Sequence, residues 1–464
     1  MKNIKNIFKG ILAILMCALV LTACNDDDDV KLYDVTVQLS YPENTEPYAG
    51  APIELRNTVG SGVYQSTTDA NGKAVFQVPA GVYEVTSADV HENDGYRYIC
   101  NGTLAQFVVQ DGVSASATIE MKVAKMNTEN PIIIKEIYTG GCWNTSTNKA
   151  FIQDACIIIY NNSNEEVSLD NLAFGYSAYY NAEAATFMGN LYNGDKLVYD
   201  GEGFIPAQNG IWYFPSTLTI PAYSQIVVNV YGAINNTLAD GLAESVNYAN
   251  SDYYCMYDPE YKTPDVTVAS AVAYNNTSYY PSPADVIPTS HYLKTVKYGQ
   301  ANAWSFSTTS PAVFIFKPKD TDPVSYFENT ENYWYIPTRA QTPVFRCAKV
   351  PNDWIIDGVE VWNAEKLDAS KKRLTADIDA GHVNLTNNHG HVLYRNVDQA
   401  STEALPENEG KLIYNYSLGV GDSTDPSSIN AEASMKNGAH IIFKDTNNSS
   451  NDFHERQKCS LRGE

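Results

Sequence analysis

Long apolar runs are missing from the chain after residue 23. No later stretch reaches the roughly 18 consecutive apolar residues that a transmembrane helix needs, so no embedded helical domain is expected. Basic residues are also scarce, since 31 lysines and arginines stand against 54 acidic residues and give a formal charge of −23. Nucleic acid and anionic lipid would repel such a chain, which excludes both as expected partners.

The motifs of common catalytic centres are absent from the sequence as well. It contains no G-x-S-x-G, no H-E-x-x-H and no G-x-x-x-x-G-K-[ST]. No C-x-x-C pair occurs, which disfavours a structural zinc site or a thioredoxin-type centre. Carboxylates are too numerous for any acid–base pair to stand out. We therefore predict a protein that is not an enzyme and uses no cofactor.

The N-terminal 23 residues have the layout of a secretory signal. Three lysines precede an apolar run over 11–20 that is too short to span a bilayer comfortably. Leu21-Thr22-Ala23-Cys24 then resembles a bacterial lipobox, which implies cleavage after residue 23 and lipid attachment at Cys24. The alternative is an ordinary cleavage site with an incidental cysteine. Removing the signal takes away Lys2, Lys5 and Lys9 and no acid, so the charge falls from −23 to −26.

Four consecutive carboxylates, Asp26, Asp27, Asp28 and Asp29, follow the predicted anchor in a tether over 24–32. Like charges that bury no apolar surface predict an extended, disordered segment. One interpretation is a solvated spacer. The other is an address, because an acidic run after an acylated cysteine resembles the export signal of Bacteroidetes surface lipoproteins. That resemblance implies an outer-membrane protein, held by its lipid anchor, that faces the cell exterior.

Cysteine usage leaves the redox state open. Of eight cysteines, Cys17 leaves with the signal and Cys24 carries lipid. The remaining six allow three disulfides in fifteen connectivities, or free thiols in a chain too large to need covalent staples. They are Cys100, Cys142, Cys156, Cys255, Cys347 and Cys459.

Residues 33–124 alternate apolar and polar side chains in short runs separated by turns. "DVTVQLSY" and "KAVFQVP" have the period of half-buried strands, and "DANG" before the second is a strong turn signal. This pattern predicts a β-sandwich of about 90 residues. The order "AGAPIEL…TTDANGKAVFQVPAGVYEV" resembles the prealbumin-like modules that also occur as regulatory domains of carboxypeptidases. Such modules act as spacers, and no catalytic residue is implied.

The polar segment "KMNTENP", 125–131, is interpreted as a linker to a second domain over 131–464. Its strand-like pieces include "PIIIKEIYTGG", "DACIIIYNNSNEEVSLDNLAFG" and "TIPAYSQIVVNVYG". Later pieces are "PAVFIFKP", "DWIIDGVEVWN", "GHVLYRNVD" and a closing "DTNNSSNDF". This order resembles the lamin-tail domain, an immunoglobulin-like sandwich. The predicted fold class is therefore all-β, with two β-sandwich domains.

The resemblance has departures. Lys135 stands where that family usually has asparagine, and Cys156-Ile157 replaces an acidic pair. Residues 176–212 and 232–304 are longer than loops normally are, and we interpret them as insertions. They are rich in tyrosine, of which the chain has 33. Tyrosine-rich loops suit recognition surfaces, but they also pack over a sandwich when loops are long. The predicted ligand-binding residues are Tyr179, Tyr180, Trp212, Tyr253, Tyr254, Tyr279 and Tyr280.

Histidines cluster in "GHVNLTNNHGHVLYR". His389 and His391 are two residues apart in a strand-like run, so both side chains would project from one face and could share a transition metal. The competing interpretation is a pair of solvent-facing polar residues at a turn. The lack of an acidic residue within two positions of the pair favours this interpretation.

The whole pattern resembles an uncharacterised family of Bacteroidetes surface lipoproteins. It favours a ligand-capturing lipoprotein for a TonB-dependent uptake system, with a glycan, a haem-like compound or a metal chelate as the ligand. The alternative is an adhesin or envelope-assembly protein that binds another protein.

Overall fold

The computed structural model describes residues 30–43, 45–184, 189–261, 281–299 and 306–462. The predicted lipid-attachment residue Cys24, the aspartates 26–29, Tyr279 and Tyr280 lie outside the described residues. Nearly all regular structure is β-strand, arranged in several sheets, which confirms the predicted all-β sandwich class.

The described strands are numbered β1 to β29 in chain order. Those of the first third of the chain are β1 Leu32–Ser40, β2 Pro52–Asn57, β3 Val63–Thr67, β4 Lys73–Pro79, β5 Gly81–Asn93, β6 Tyr96–Val109, β7 Ala115–Glu120, β8 Lys122–Asn127, β9 Ile132–Tyr138, β10 Cys142–Asn144 and β11 Lys149–Phe151. The next are β12 Cys156–Asn161, β13 Val167–Leu169, β14 Ala173–Tyr176, β15 Tyr192–Asn193, β16 Lys196–Leu197, β17 Phe204–Gln208, β18 Gly210–Tyr213, β19 Leu218–Ile220 and β20 Gln225–Asn229. The last are β21 Tyr254–Cys255, β22 Lys294–Lys297, β23 Ala312–Phe316, β24 Tyr333–Tyr335, β25 Arg346–Pro351, β26 Ile355–Asn363, β27 Val383–Leu385, β28 Val392–Arg395 and β29 Phe453–Arg456.

Helices are short throughout the described ranges. The α-helices are α1 Pro323–Phe327, α2 Gln399–Ala404, α3 Ala431–Lys436 and α4 Ser449–Asp452. Single 3₁₀ turns occur at Gly189–Leu191, Asn236–Leu238, Thr289–His291, Thr330–Asn332, Pro343–Phe345, Asn352–Trp354, Leu367–Ala369, Pro406–Asn408 and Ser460–Arg462. Among the residues described, none of these helices has the length and apolar character needed to cross a membrane.

The chain divides into two compact units. Of the described residues, those in Met1–Leu39, Pro47–Thr86 and Thr103–Ile119 form unit 1, and those in Ser40–Glu46, Ser87–Gly102 and Glu120–Glu464 form unit 2. The predicted domains, 33–124 and 131–464, differ from this division because β5 and β6 have 13 and 14 residues. At about 3.3 Å per residue each spans more than about 40 Å, roughly twice a usual strand, and contributes one half to each unit.

Unit 1 has the strand alternation that its sequence predicts. β1 pairs antiparallel with β4, with Val35 opposite Phe76. From Val35 onward in β1, and throughout β4, every second side chain is buried and the intervening ones are at least partly exposed. The predicted turn precedes β4, where Asp69 Oδ1 accepts hydrogen bonds from the backbone N–H groups of Asn71 and Lys73. Gly72 has a φ of +73°, which a residue without a Cβ adopts easily.

Unit 2 contains two six-stranded sheets, in the orders β21-β20-β12-β9-β28-β29 and β22-β18-β14-β23-β26-β27. Their apolar side chains form one shared core. Each fully buried aliphatic or aromatic side chain contributes about 1.5–3 kcal/mol. The core members include Ile134, Ile137, Ile157, Ile159, Phe174, Trp212, Val313, Ile315, Val359 and Val361.

The described residues of 176–212, a range interpreted from the sequence as an insertion, build a further layer of unit 2. β17 pairs with β25, and β24 completes a three-stranded sheet. A second core forms from this sheet and from side chains of the β14-β23 sheet, including Ile205, Ala207, Phe314, Phe316 and Val350. The described residues of this range are therefore a folded part of unit 2, because apolar side chains such as those of Ile205 and Ala207 are buried.

The linker predicted at 125–131 is wrong over its first three residues. Strand β8 runs to Asn127, with Lys125 and Asn127 on one side and Ala124 and Met126 on the other. Ala124 and Met126 are buried against Ala404, Leu405 and Ile442. The sequence is polar on average because three of the six side chains of this strand, Lys122, Lys125 and Asn127, are polar and at least partly exposed. The predicted closing strand "DTNNSSNDF" is also wrong in part, since Ser449–Asp452 is helical and β29 begins at Phe453.

The six described cysteines are all buried free thiols. Of the two possibilities that the sequence leaves open, disulfides or free thiols, the structure therefore has free thiols.

Shortening Met126 tests the role of β8. We expect Met126→Ala to lower the free energy of unfolding by about 2–5 kcal/mol, because it opens a cavity between β8 and α2. Lys122→Ala, on an exposed position of the same strand, should change it by less than about 0.5 kcal/mol. The measurement is equilibrium denaturation by urea. Equal stability of the two variants would show that this segment is a linker after all.

A buried histidine predicts how stability depends on pH. His454 donates from Nδ1 to Asn396 Oδ1 at 2.7 Å, and its Nε2 accepts from the hydroxyl of Tyr416. Burial, helped by the charge of Arg456, lowers the pKa of His454 from 6.5 to about 3. The folded protein therefore keeps this ring neutral at a pH where the unfolded chain would protonate it.

As the pH falls from 6.5 towards 3, His454 should reduce the free energy of unfolding by about 1.4 kcal/mol per pH unit. Urea denaturation of the parent and of His454→Gln at pH 7 and pH 5 measures this contribution. The loss on acidification should be about 2 kcal/mol smaller in the variant. His440→Gln is the matched control, because that side chain is largely exposed. Identical losses in all three proteins would contradict the neutral, buried ring.

Candidate functional site

The structure places two of the predicted ligand-binding aromatics in cores. Trp212 is 1 % exposed in the centre of the core between the six-stranded sheets, and Tyr179 is 6 % exposed in the second core. The prediction that they form a recognition surface is wrong, because both side chains are buried. Trp212 lies on β18, a strand within a sheet, and Tyr179 lies three residues after the end of β14. For these two residues the packing interpretation holds.

The other described members of the predicted set are half-buried and separately placed. The hydroxyl of Tyr180 donates to the carbonyl of Phe306 at 3.1 Å. Tyr254 stacks on His291, with ring centres 4.0 Å apart, while Tyr253 packs against a different apolar cluster. Burial raises the pKa of Tyr253 and Tyr254. Their rings therefore serve mainly to cover apolar cores.

His389 and His391 lie in the turn between β27 and β28. Asn388 and Gly390 both have positive φ, +66° and +73°, so the chain reverses sharply and brings the two histidines together. A Cβ on Gly390 would come within 2.5 Å of Nη2 of Arg462, so glycine also allows a close approach here. The ring centres of His389 and His391 are 5.5 Å apart. His389 is exposed, whereas the side chain of His391 is 18 % exposed.

An acidic residue joins the pair from a distant part of the chain. Glu455 Oε1 accepts from His391 Nδ1 at 2.8 Å and from the backbone N–H of Thr386 at 2.7 Å. The Thr386 hydroxyl donates to Oε2 at 3.2 Å. Burial alone would raise the pKa of Glu455, but these hydrogen bonds outweigh it, so the pKa lies below its usual value. The carboxylate is thus held ionised beside the ring.

Sequence reasoning missed Glu455 because it is 64 residues from His391. The two meet because β28 pairs antiparallel with β29, with Leu393 opposite Glu455. Extending the predicted closing strand by a few residues would have placed Glu455 on a strand. No local signal in the sequence, however, identifies His391 as the partner of Glu455. His382, near the pair in sequence, stacks instead on Trp362 with ring centres 3.6 Å apart.

The arrangement can bind a metal ion through two nitrogens. A carboxylate that accepts Nδ1–H fixes the tautomer of His391 and leaves Nε2 as a lone-pair donor. Imidazoles that share one tetrahedral ion have ring centres roughly 5 Å apart, given metal–nitrogen bonds of about 2.0–2.1 Å. In the part of the chain that the structure describes, no third His, Cys, Asp or Glu ligand atom completes this pair. Its remaining positions are open to water or to a chelating ligand.

Three large apolar side chains are exposed elsewhere on unit 2. Trp143 in β10 and Ile152, which follows β11, are 45 % and 39 % exposed, and Leu238 is 82 % exposed. The hairpin is tied to the chain after Leu238, because Thr145 N–H donates to Gly241 O at 3.0 Å. Large apolar side chains on a surface favour contact with another molecule.

Comparison with known proteins gives the family and the fold. A family model described as "Protein of unknown function (DUF4876)" matches residues 221–460, just over half of the chain. A crystal structure of a DUF4876 family protein from Bacteroides thetaiotaomicron is similar over 91 % of this chain and 94 % of that chain, with a TM-score of 0.55 and 19 % identity. At that identity the similarity shows the fold alone.

Two pilins are also similar at much lower TM-scores. The major pilin SpaD of Corynebacterium diphtheriae matches with a TM-score of 0.17 and 10 % identity over 67 % of this chain and 90 % of that chain. The major pilin subunit BcpA of Bacillus cereus matches with a TM-score of 0.18 and 12 % identity over 77 % and 100 %. Values this low carry no argument about fold or function. No curated protein matches the chain.

Proposed function

The chain belongs to the DUF4876 family, and from that premise we propose that it is a lipid-anchored, non-enzymatic protein of the bacterial outer surface that captures a transition-metal ion or metal chelate. The observation that carries the proposal is the orientation of His391 by Glu455 beside the exposed His389. Of the three ligand classes that the sequence suggests, a metal chelate is the one that this geometry favours.

The site suits capture more than catalysis. Two imidazoles at a surface turn hold an ion through few protein ligands, so that the ion keeps the rest of its chelate and can be passed on. His389 is exposed, which gives a chelate direct access. A TonB-dependent receptor is the partner that we propose for the release of the ion.

Anchoring is proposed from the sequence. Cys24 follows a lipobox-like Leu21-Thr22-Ala23, and the aspartates 26–29 follow Cys24 directly. The similar crystal structure comes from Bacteroides thetaiotaomicron, which agrees with an uncharacterised Bacteroidetes family. A diacylated cysteine supplies two chains, enough for stable attachment to a bilayer.

A second candidate function is adhesion or envelope assembly through another protein. The exposed side chains of Trp143, Ile152 and Leu238 favour it, because aromatic and aliphatic residues at the centre of an interface supply most of its binding energy. The predicted N-terminal sandwich would then act as a spacer.

The metal site is tested with the soluble chain that begins at Asn25. Isothermal titration with Ni²⁺ should show a binding event that His389→Ala/His391→Ala loses, because imidazole nitrogens suit nickel. Stability of the double variant should stay within about 1 kcal/mol of the parent, since one ring is exposed and Glu455 keeps its bonds to Thr386.

Glu455→Gln should weaken the same event by about 10–100-fold, the usual effect of removing a carboxylate that orients a ligating histidine. His440→Ala is the matched control, because His440 faces Glu407 at 3.4 Å with no second histidine beside it. Nickel binding that survives the double variant unchanged would reject the site and favour the second candidate function.

Replacing Asp26 to Asp29 by alanine tests the proposed address. Intact cells that carry the parent should lose the protein to an added protease, whereas the variant should be protected because it stays on the inner side of the outer membrane. Immunoblotting of digested cells gives the measurement, with total lipoprotein as the loading control. Equal digestion of parent and variant by the protease would show that the aspartates are only a spacer.

A further inference from the structure

The turn between β5 and β6 brings a second set of ligand types together in unit 2. Asp94 and Gly95 have φ values of +50° and +77°, as a two-residue type I′ hairpin turn requires. Such a turn places residue 91 opposite 98 and residue 89 opposite 100. His91 accordingly stacks on Tyr98, with ring centres 5.1 Å apart and planes 9° from parallel.

Three different ligand atoms converge on this hairpin. His91 Nδ1 lies 2.5 Å from Asp89 Oδ2. One ligand atom each from Asp89, His91 and Cys100 lie within 4.8 Å of one another. The side chains of Asp89 and His91 are 11 % exposed, and Cys100 is 1 % exposed. Among the residues that the structure describes, these are the only three His, Cys, Asp or Glu side chains that meet so closely.

We propose that Asp89, His91 and Cys100 bind a divalent transition-metal ion of the zinc class, through the Cys100 sulfur, a ring nitrogen of His91 and a carboxylate oxygen of Asp89. The site shares no residue with the His389–His391 pair and does not depend on the function proposed for that pair.

The ligand set selects the metal. Sulfur and imidazole nitrogen suit zinc and its neighbours, whereas calcium and magnesium prefer oxygen alone. Bonds of about 2.3 Å to sulfur and 2.0–2.2 Å to nitrogen and oxygen put neighbouring ligand atoms roughly 3.3–3.7 Å apart in a tetrahedron. Ligand atoms within 4.8 Å of one another are already close to these separations, and the 2.5 Å contact between His91 Nδ1 and Asp89 Oδ2 opens when both atoms bind the ion. The fourth position is left to water or to a further ligand.

Charge balance also favours a dication. Binding replaces the thiol proton of Cys100, which is released to solvent, and forms a sulfur–metal bond. A thiolate and a carboxylate then neutralise the two positive charges of the ion, and the imidazole stays neutral. A site with no net charge is much less costly to bury than either ion alone.

The surrounding strands hold the ligands in place. Cys100 lies opposite Val123 in the β6–β8 pairing, which fixes its backbone. The other face of this hairpin is fastened to α2, because Asn101 Nδ2 donates to Ala404 O at 2.6 Å. Asp89 and His91 alternate with Val90, so both point to the face that carries Cys100. Ligands on rigid strands need little ordering when an ion binds.

A cysteine nucleophile is the competing use of the same three residue types. That chemistry needs an accessible thiolate. Cys100 is 1 % exposed, so an external electrophile has almost no access to its sulfur. The geometry therefore favours a ligand over a nucleophile.

Cobalt is the probe, because Co²⁺ takes zinc sites and a cobalt–thiolate bond gives a strong near-ultraviolet band. The titration uses the soluble chain from Asn25 in the His389→Ala/His391→Ala background, so that only the hairpin site responds. We expect one equivalent of Co²⁺ to produce the band together with the visible bands of a tetrahedral ion. Added Zn²⁺ should remove both and raise Tm.

Cys100→Ser should abolish the near-ultraviolet band, and Asp89→Asn should weaken Co²⁺ binding at least tenfold while the metal-free melt stays close to that of the parent. Cys255→Ala is the matched control, since it removes an equally buried thiol that has no such neighbours, and it should keep the band. Absence of the band in the parent, or its loss in Cys255→Ala and not in Cys100→Ser, would overturn the proposal. Rapid alkylation of Cys100 at neutral pH in the folded chain would overturn it in favour of a nucleophile.

Discussion

The buried pair of Arg395 and Asp357 joins the two six-stranded sheets of unit 2. Arg395 ends β28 in one sheet and Asp357 lies in β26 of the other, and their guanidinium and carboxylate are in direct contact at 1 % and 3 % exposure. Both also bind the backbone of Ile134 in β9, through Nε to the carbonyl at 2.8 Å and Oδ2 to the N–H at 2.6 Å. Loss of Arg395 would leave the Asp357 carboxyl buried without its cation, at a cost of about 3–5 kcal/mol. Arg395 itself also has Asp445 at 3.3 Å and Asp452 at 3.8 Å. The packing of the two sheets face to face, and hence their shared core, depends on this contact.

A buried ion pair of the same kind fastens the further layer of unit 2 to the second six-stranded sheet. Glu360 and Arg373 are both fully buried and joined by two hydrogen bonds, from Nε and Nη2, of 2.9 and 2.7 Å. Arg373 also donates to the carbonyl of Tyr179, which fastens the segment after β14 to the second sheet. A chain this rich in acids places several of its few arginines where they satisfy buried carboxylates, and the outer acids stay solvated. Glu455, which orients His391, is held by hydrogen bonds in the same way.

Sequence patterns predicted the fold class and most strands, because alternation and turn residues are local signals. These patterns failed where the residues that pair or pack together are far apart in the sequence. Residues 176–212 looked like a loop, since nothing near β17 shows that β25 will cover it, and the polar face of β8 concealed the burial of Met126. The site followed the same rule. The closeness of His389 and His391 was predictable from their spacing, but Glu455 was not. The Asp89–His91–Cys100 set was within reach, because "NDGY" signals a two-residue turn that aligns position 89 with 100.

The position of β9 in its sheet has a consequence for the order of folding. β9 lies between β12, which follows it closely in sequence, and β28, and its Glu136 accepts hydrogen bonds from Ser460, 324 residues further on. One edge of β9 stays unpaired until those late residues arrive. A chain that emerges from a ribosome or a translocation channel in sequence order can therefore form unit 1 early, but it must hold the central sheet of unit 2 open almost to the end. Such long-range closure slows folding and exposes an unpaired strand edge in the meantime, so we expect the folding of unit 2 to depend on chaperones.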